Sequence, residues 1–145
     1  MARVMIVEDA EFMRIAIRDT LLKHGHEVVA ELADGEEAIQ TYLETKPDLV
    51  LMGIVVPDSV PDNMNWKKLL NKFLVIDHDA KLAIFSSLGY KILITESMKI
   101  GAMGFIIEPI EPDGMLNMIR KTEFEISIAN GHSDYGISVL SEEPT

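Results

Sequence analysis

The first residues able to do chemistry are Glu8 and Asp9, adjacent carboxylates that close the apolar run Val4-Met5-Ile6-Val7. Glu108 stands at the matching point after Phe105-Ile106-Ile107, and the hydroxyls of Ser86 and Ser87 follow the run ending at Phe85. Carboxylates that converge on one point suit a hard divalent cation such as Mg2+ or Ca2+. A hydroxyl just after a strand most often bonds to nearby backbone. Gly53, after DLVLM, holds the same kind of position with no side chain at all. Cysteine is absent, which excludes disulfides, thiolate metal sites and a cysteine nucleophile. Four histidines (His24, His26, His78 and His132) fall near helix ends or in loops and read as solvated surface. No G-x-G-x-x-G fingerprint, P-loop or nucleophile-histidine constellation is present.

These residues need elements to position them. Val4 to Val7 is continuously apolar, as suits a strand buried on both faces. Ala10 to His24 changes to helical spacing, with Phe12, Met13, Ala16, Ile17, Thr20 and Leu21 as the inward stripe and Gly25 as the stop. Glu27 to Leu32 is a second strand. Asp34 and Glu37 have the spacing of a capping box for a helix that reaches Thr45, where Pro47 prevents its continuation. Strands over Asp48–Met52, Lys81–Phe85 and Phe105–Ile107 alternate with helices over Lys67–Ile76, Tyr90–Ile100 and from Pro112 to about Lys121. Five strand-helix units in strict alternation predict a parallel sheet with helices on both faces. Ligands of such sheets bind beyond the carboxyl ends of the strands. That places Glu8, Asp9, Gly53, Ser86 and Glu108 at one edge.

The length of 145 residues suits one domain, and no apolar run approaches the ~18 residues of a membrane span. The amino-terminal stretch reaches carboxylates by residue 8 and does not read as a signal peptide, so the expected location is the cytoplasm. Acidic residues outnumber basic ones by 24 to 13, for a formal charge of −11, which argues against nucleic acid as a partner.

At its strand ends the sequence resembles the receiver domains of two-component response regulators, the family of the chemotaxis receiver. The resembling segments are MARVMIVEDAEFMRIAI, HEVVAELADGEEAI, KPDLVLMGIVVPD, AIFSS and GAMGFIIEPIEPD, which span roughly residues 2 to 121. The resemblance implies a flavodoxin-like, doubly wound (βα)5 three-layer sandwich with strand order 2-1-3-4-5. It divides the chain into a receiver domain over 1–122 and a carboxyl-terminal extension over 123–145. In the extension, the alternation Phe124-Glu125-Ile126-Ser127-Ile128 suits an extra strand, and the remainder a partly disordered tail.

In typical members, an acidic pair after the first strand and an aspartate after the third hold a divalent metal, and that aspartate accepts the phosphoryl group. A hydroxyl residue after the fourth strand and a lysine after the fifth then contact the phosphate. By resemblance Glu8 and Asp9 are the acidic pair, Ser86 the switch hydroxyl, Phe105 the switch aromatic, and Pro109 the residue that follows a cis bond in the family. Gly53 stands at the phosphoacceptor position and Glu108 at the lysine position. Glycine has no side-chain nucleophile, and glutamate repels the dianion that lysine would attract.

The expected function is therefore an atypical receiver, a pseudo-receiver in phosphorelay-type signalling that acts by protein contacts and is not an enzyme. Alternatives are an ordinary receiver phosphorylated on Asp9 or Asp58, one whose native residue 53 is aspartate, and, third, a doubly wound cofactor binder. A rewired site for Mg2+ or Ca2+ would use Glu8, Asp9, the Val55 carbonyl and Glu108. Otherwise the acidic pair meets water or a cation such as Arg14. Expected partners are a histidine kinase or a downstream signalling protein, or a second copy through the face formed by the fourth helix, fifth strand and fifth helix. That face carries Tyr90, Met98, Lys99, Met103, Met115, Met118 and Arg120. Trp66 is expected to seat on the core after the long 58–66 loop.

Overall fold

A computed structural model describes residues 1–35, 37–54, 66–86, 91–107 and 112–129. Five strands and five helices alternate: β1 (Arg3–Val7), α1 (Glu11–Lys23), β2 (Glu27–Leu32), α2 (Ala38–Thr45), β3 (Leu49–Gly53), α3 (Trp66–Ile76), β4 (Leu82–Ser86), α4 (Lys91–Ile100), β5 (Gly104–Ile107) and α5 (Pro112–Ala129). All strand pairs are parallel, in the order β2-β1-β3-β4-β5. This is the doubly wound, flavodoxin-like order, with the switch point between β1 and β3.

The sheet is buried on both faces because its strands are apolar at consecutive positions, as parallel sheets require. Met5, Val7, Val50, Met52, Leu82 and Ile84 face one way, against Ala38 and Tyr42 of α2, Trp66, Leu69, Leu70 and Phe73 of α3, and Leu93 of α4. Val4, Ile6, Leu49, Leu51, Ala83, Phe85 and Ile106 face the other way, against Ile17 and Leu21 of α1 and Met115, Leu116 and Ile119 of α5. Trp66 opens α3 and is buried, as the sequence predicts.

Local packing corrects four expectations. Phe12 is 73% exposed and Ala16 is exposed too, so neither belongs to the inward stripe; α1 docks through Ile17 and Leu21, with Met13 alongside. The helix does not open at Asp34: α2 starts at Ala38, and its N-cap, Glu37, makes no side-chain cap bond. The Ala38 amide instead donates to the Gly35 carbonyl (3.3 Å), in a turn that precedes the helix.

The strand expected over residues 124–128 is part of α5. No glycine or proline interrupts residues 115–129, and side chains tie the added turns to the domain. The Thr122 hydroxyl donates to Met103 Sδ (3.3 Å), Lys121 Nζ donates to the Met103 carbonyl (3.4 Å), and Glu125 pairs with Lys81 (3.3 Å). Alternation over five residues is a weak signal against a helix already under way. The helix thus crosses the expected boundary at 122/123 without a break, and residues 130–145 lie outside the described residues.

Fourth, His26 is not mere solvated surface. Its Nδ1 accepts the Ala2 amide (3.1 Å), and burial pushes its pKa below the ordinary 6.5.

Candidate functional site at the carboxyl ends of the strands

The loop after β1 is held through its backbone. The Glu8 amide donates to the Leu32 carbonyl (2.9 Å), which extends the β1–β2 ladder by one bond. Arg14, one turn into α1, donates from Nη1 to the Glu8 carbonyl (2.7 Å) and the Asp9 carbonyl (3.2 Å). The guanidinium, named above as one cation the acidic pair could meet, grips the main chain of that pair. This aims Glu8, half-buried, and Asp9, exposed, beyond the end of β1.

β1 lies beside β3, with Val7 opposite Met52, so Glu8 comes next to Gly53. Gly53 is a strand residue in register with Phe85 of β4, and the Ile54 amide continues the ladder to the Phe85 carbonyl (2.9 Å). Its φ is not positive, so glycine is not demanded by the backbone here. Space is the constraint instead. A Cβ built on Gly53 would lie 2.7 Å from Glu8 Oε2, 3.0 Å from Glu8 Cδ and 3.0 Å from Phe85 Cε2.

Ser86 ends β4 and is 3% exposed. No buried side-chain nitrogen or oxygen among the described residues lacks a hydrogen-bond partner. Phe105 is half-buried and packs against the cluster on the α2–α4 face. The structure thus brings Glu8 and Gly53 together with Phe85, and puts Ser86 at the same edge. Val55, Asp58, Ser87, Glu108 and Pro109 lie outside the described residues. Phe85 is the neighbour that sequence reasoning overlooked; the available signal was a bulky aromatic one residue before Ser86, in register with a glycine.

A second carboxylate group, Asp77, His78 and Asp79, brings its ligand atoms within 4.8 Å of one another at the opposite edge of the sheet. Its inner member is already engaged: Asp77 Oδ2 accepts the Tyr42 hydroxyl (2.7 Å) and Oδ1 the Asp79 amide (3.0 Å). That is an ordinary turn closing α3. Tyr42 is pushed well above its ordinary pKa by burial and by this bond to Asp77, so the phenol stays a donor.

The sheet order and the acidic pair at the switch point agree with a family comparison. Residues 4–120 match the model of the response regulator receiver domain. The chain belongs to this family. As a receiver domain it is a module of two-component signalling. It is 37% identical over 119 residues to the chemotaxis protein CheY of Thermotoga maritima, covering 82% of this chain and 95% of that one. To CheY of Bacillus subtilis it is 38% identical over 120 residues, covering 83% and 96%. Among solved structures it is similar to a chain of the CheX-CheY-BeF3-Mg2+ complex from Borrelia burgdorferi, with a TM-score of 0.73 and 26% identity over 82% of this chain and 87% of that one. No described helix of this receiver is long and apolar enough to cross a membrane.

Proposed function

We propose that this receiver is a pseudo-receiver, one that signals through protein contacts without accepting a phosphoryl group on its third strand. The observation that carries the reading is Gly53, which ends β3 beside the acidic pair and offers no oxygen nucleophile. Glu108, at the position where the family resemblance puts lysine, adds a like charge where an incoming phosphoryl dianion would need a cation.

The donor set bears on metal binding in the same direction. Glu8 and Asp9 are hard oxygen ligands suited to Mg2+ or Ca2+, but the described donors fall one carboxylate short of the family pocket, and Glu8 leans its Oε2 over Gly53. A cation here needs the Val55 carbonyl and the Glu108 carboxylate to complete its shell. Such a site would be weaker than the usual one, and a titration of Mg2+ or Ca2+ followed at the amides near Glu8 measures it.

Output in this reading passes through partner surfaces: to a histidine kinase or a downstream protein, or to a second copy. Exposed Ile92 and Met98 on α4 and Ile107 on β5 support the α4-β5-α5 face for this role. The charge of −11 favours protein over nucleic acid as partner, and the proposed site of action is the cytoplasm.

The test is incubation with acetyl phosphate and Mg2+ followed by intact-mass measurement. The unaltered chain should gain no phosphoryl adduct. An adduct mapping to Asp9, which is exposed, or to Asp58 would replace this reading with that of an ordinary receiver using another acceptor.

A further inference from the structure

The ground that a side chain on residue 53 would occupy is taken by two neighbours that differ in how easily they could give way. Glu8 reaches it with the far end of a half-buried, flexible side chain, Oε2 at 2.7 Å from the built Cβ. Phe85 reaches it with a ring edge, Cε2 at 3.0 Å. That ring is 1% exposed and embedded in the cluster that joins β1, β3, β4 and β5 to α1 and α5. It has little freedom to retreat, because cores packed to crystal density answer an intruding group with strain.

The register explains the arrangement. Gly53 and Phe85 are Cα partners on adjacent parallel strands, so their side-chain positions share one face of the sheet. On such a face, a large aromatic beside a glycine spreads over the backbone that the glycine leaves uncovered.

From this we infer that Phe85 is a specificity-determining residue of the site: its ring edge crowds the start of any side chain at residue 53, so refusal of the phosphoryl group is built into β4 as well as into residue 53. The inference rests on the pseudo-receiver reading and adds a consequence to it. Putting aspartate back at position 53 does not by itself rebuild an acceptor, because the new side chain meets the ring. Shrinking residue 85 opens the space.

Two measurements test this. In the first, Gly53→Ala is made in the native chain and in an F85V chain, with F85L run alongside because it keeps more of the core volume. Thermal unfolding should show that Gly53→Ala lowers the midpoint with Phe85 in place and lowers it much less, or raises it, once the ring is gone. Equal shifts in all backgrounds would overturn the inference.

In the second, G53D/E108K is compared with G53D/E108K/F85V and G53D/E108K/F85L in acetyl phosphate and Mg2+. An acceptor carboxylate oxygen attacks phosphorus, the bond from phosphorus to the acetyl oxygen breaks, and acetate leaves. Intact mass should show several-fold more adduct in the proteins with the smaller residue 85, and equal adduct with and without Phe85 would overturn the inference. An adduct on the unaltered chain counts against the pseudo-receiver reading instead, so the two failures are told apart.

Discussion

At the amino ends of the strands, side chains are spent on holding the main chain; at the carboxyl ends, they lean over a glycine. Arg3 shows the first arrangement. Its amide donates to Asp48 Oδ2 (2.8 Å), and its guanidinium donates to the Thr45 and Lys46 carbonyls (2.8 Å each), the last acceptors of α2. A cation on the carbonyl end of a helix is favourably placed for the helix dipole. At the same edge, Tyr42 stacks edge-on against Phe73 (5.4 Å between centroids) and donates to Asp77, and His26 receives the Ala2 amide. Among the described residues, the carboxyl edge holds its main chain through Arg14 on the carbonyls of Glu8 and Asp9, and beyond it Asp9 is exposed to solvent.

The comparison can be broken most forcefully at Phe73. It is fully buried and packs on Tyr42, so Phe73→Ala should cost about 3–5 kcal/mol in denaturant unfolding. A loss within the ~0.5 kcal/mol typical of surface changes would remove the amino edge from its stabilising role.

Next in size is a paired test of the two arginines, each of which donates to two carbonyls. Arg3→Ala should cost about 1–2 kcal/mol, since it strips a helix terminus of its cation, and Arg14→Ala less than about 1 kcal/mol, since its loop carbonyls can turn to water. Equal costs would erase the asymmetry between the edges.

Lys46 caps α2 in the left-handed conformation, with φ of 48°, a strained choice for a residue with a Cβ. Lys46→Gly should therefore stabilise the protein by about 0.5–1 kcal/mol, read as a raised unfolding midpoint. A lowered midpoint would mean that the lysine side chain contributes more than its backbone costs.

The smallest effect concerns pH. The His26 pKa is held below 6.5 in the folded chain by burial, so the unfolded chain binds more protons as the pH falls below that value. Its contribution to stability is complete above about 6.5 and is lost as the pH drops through it towards the lower folded pKa. Thermal midpoints recorded between about pH 8 and 5 should fall more for the native chain than for His26→Asn, which keeps an acceptor for the Ala2 amide without a titrating ring. The difference should stay below one ordinary hydrogen bond, about 1 kcal/mol, and parallel curves would show that His26 is a passive acceptor.

The fold was legible because its signals are local. Consecutive apolar residues such as Val4–Val7 and Leu49–Met52 mark strands covered on both faces, and the changes to helical spacing between them leave few topologies open. The residues at the strand ends could be named for the same reason, since a strand's last residue and the one after it are adjacent in the chain. Expectations failed where two chemistries competed for the same residues. Phe124 to Ile128 alternate like a strand, yet they belong to a helix whose continuing turns are tied to the domain by Thr122 on Met103 and Glu125 on Lys81.

By itself, then, the sequence determined the order of elements, the parallel sheet, and the absence of a side-chain oxygen at residue 53. Only the tertiary structure decided what stands in that place. Glu8, Gly53 and Phe85 are separated by 45 and 32 residues along the chain, and no local pattern records a distance between them. Strand register brought the three together, and close packing then turned a missing side chain into a filled one.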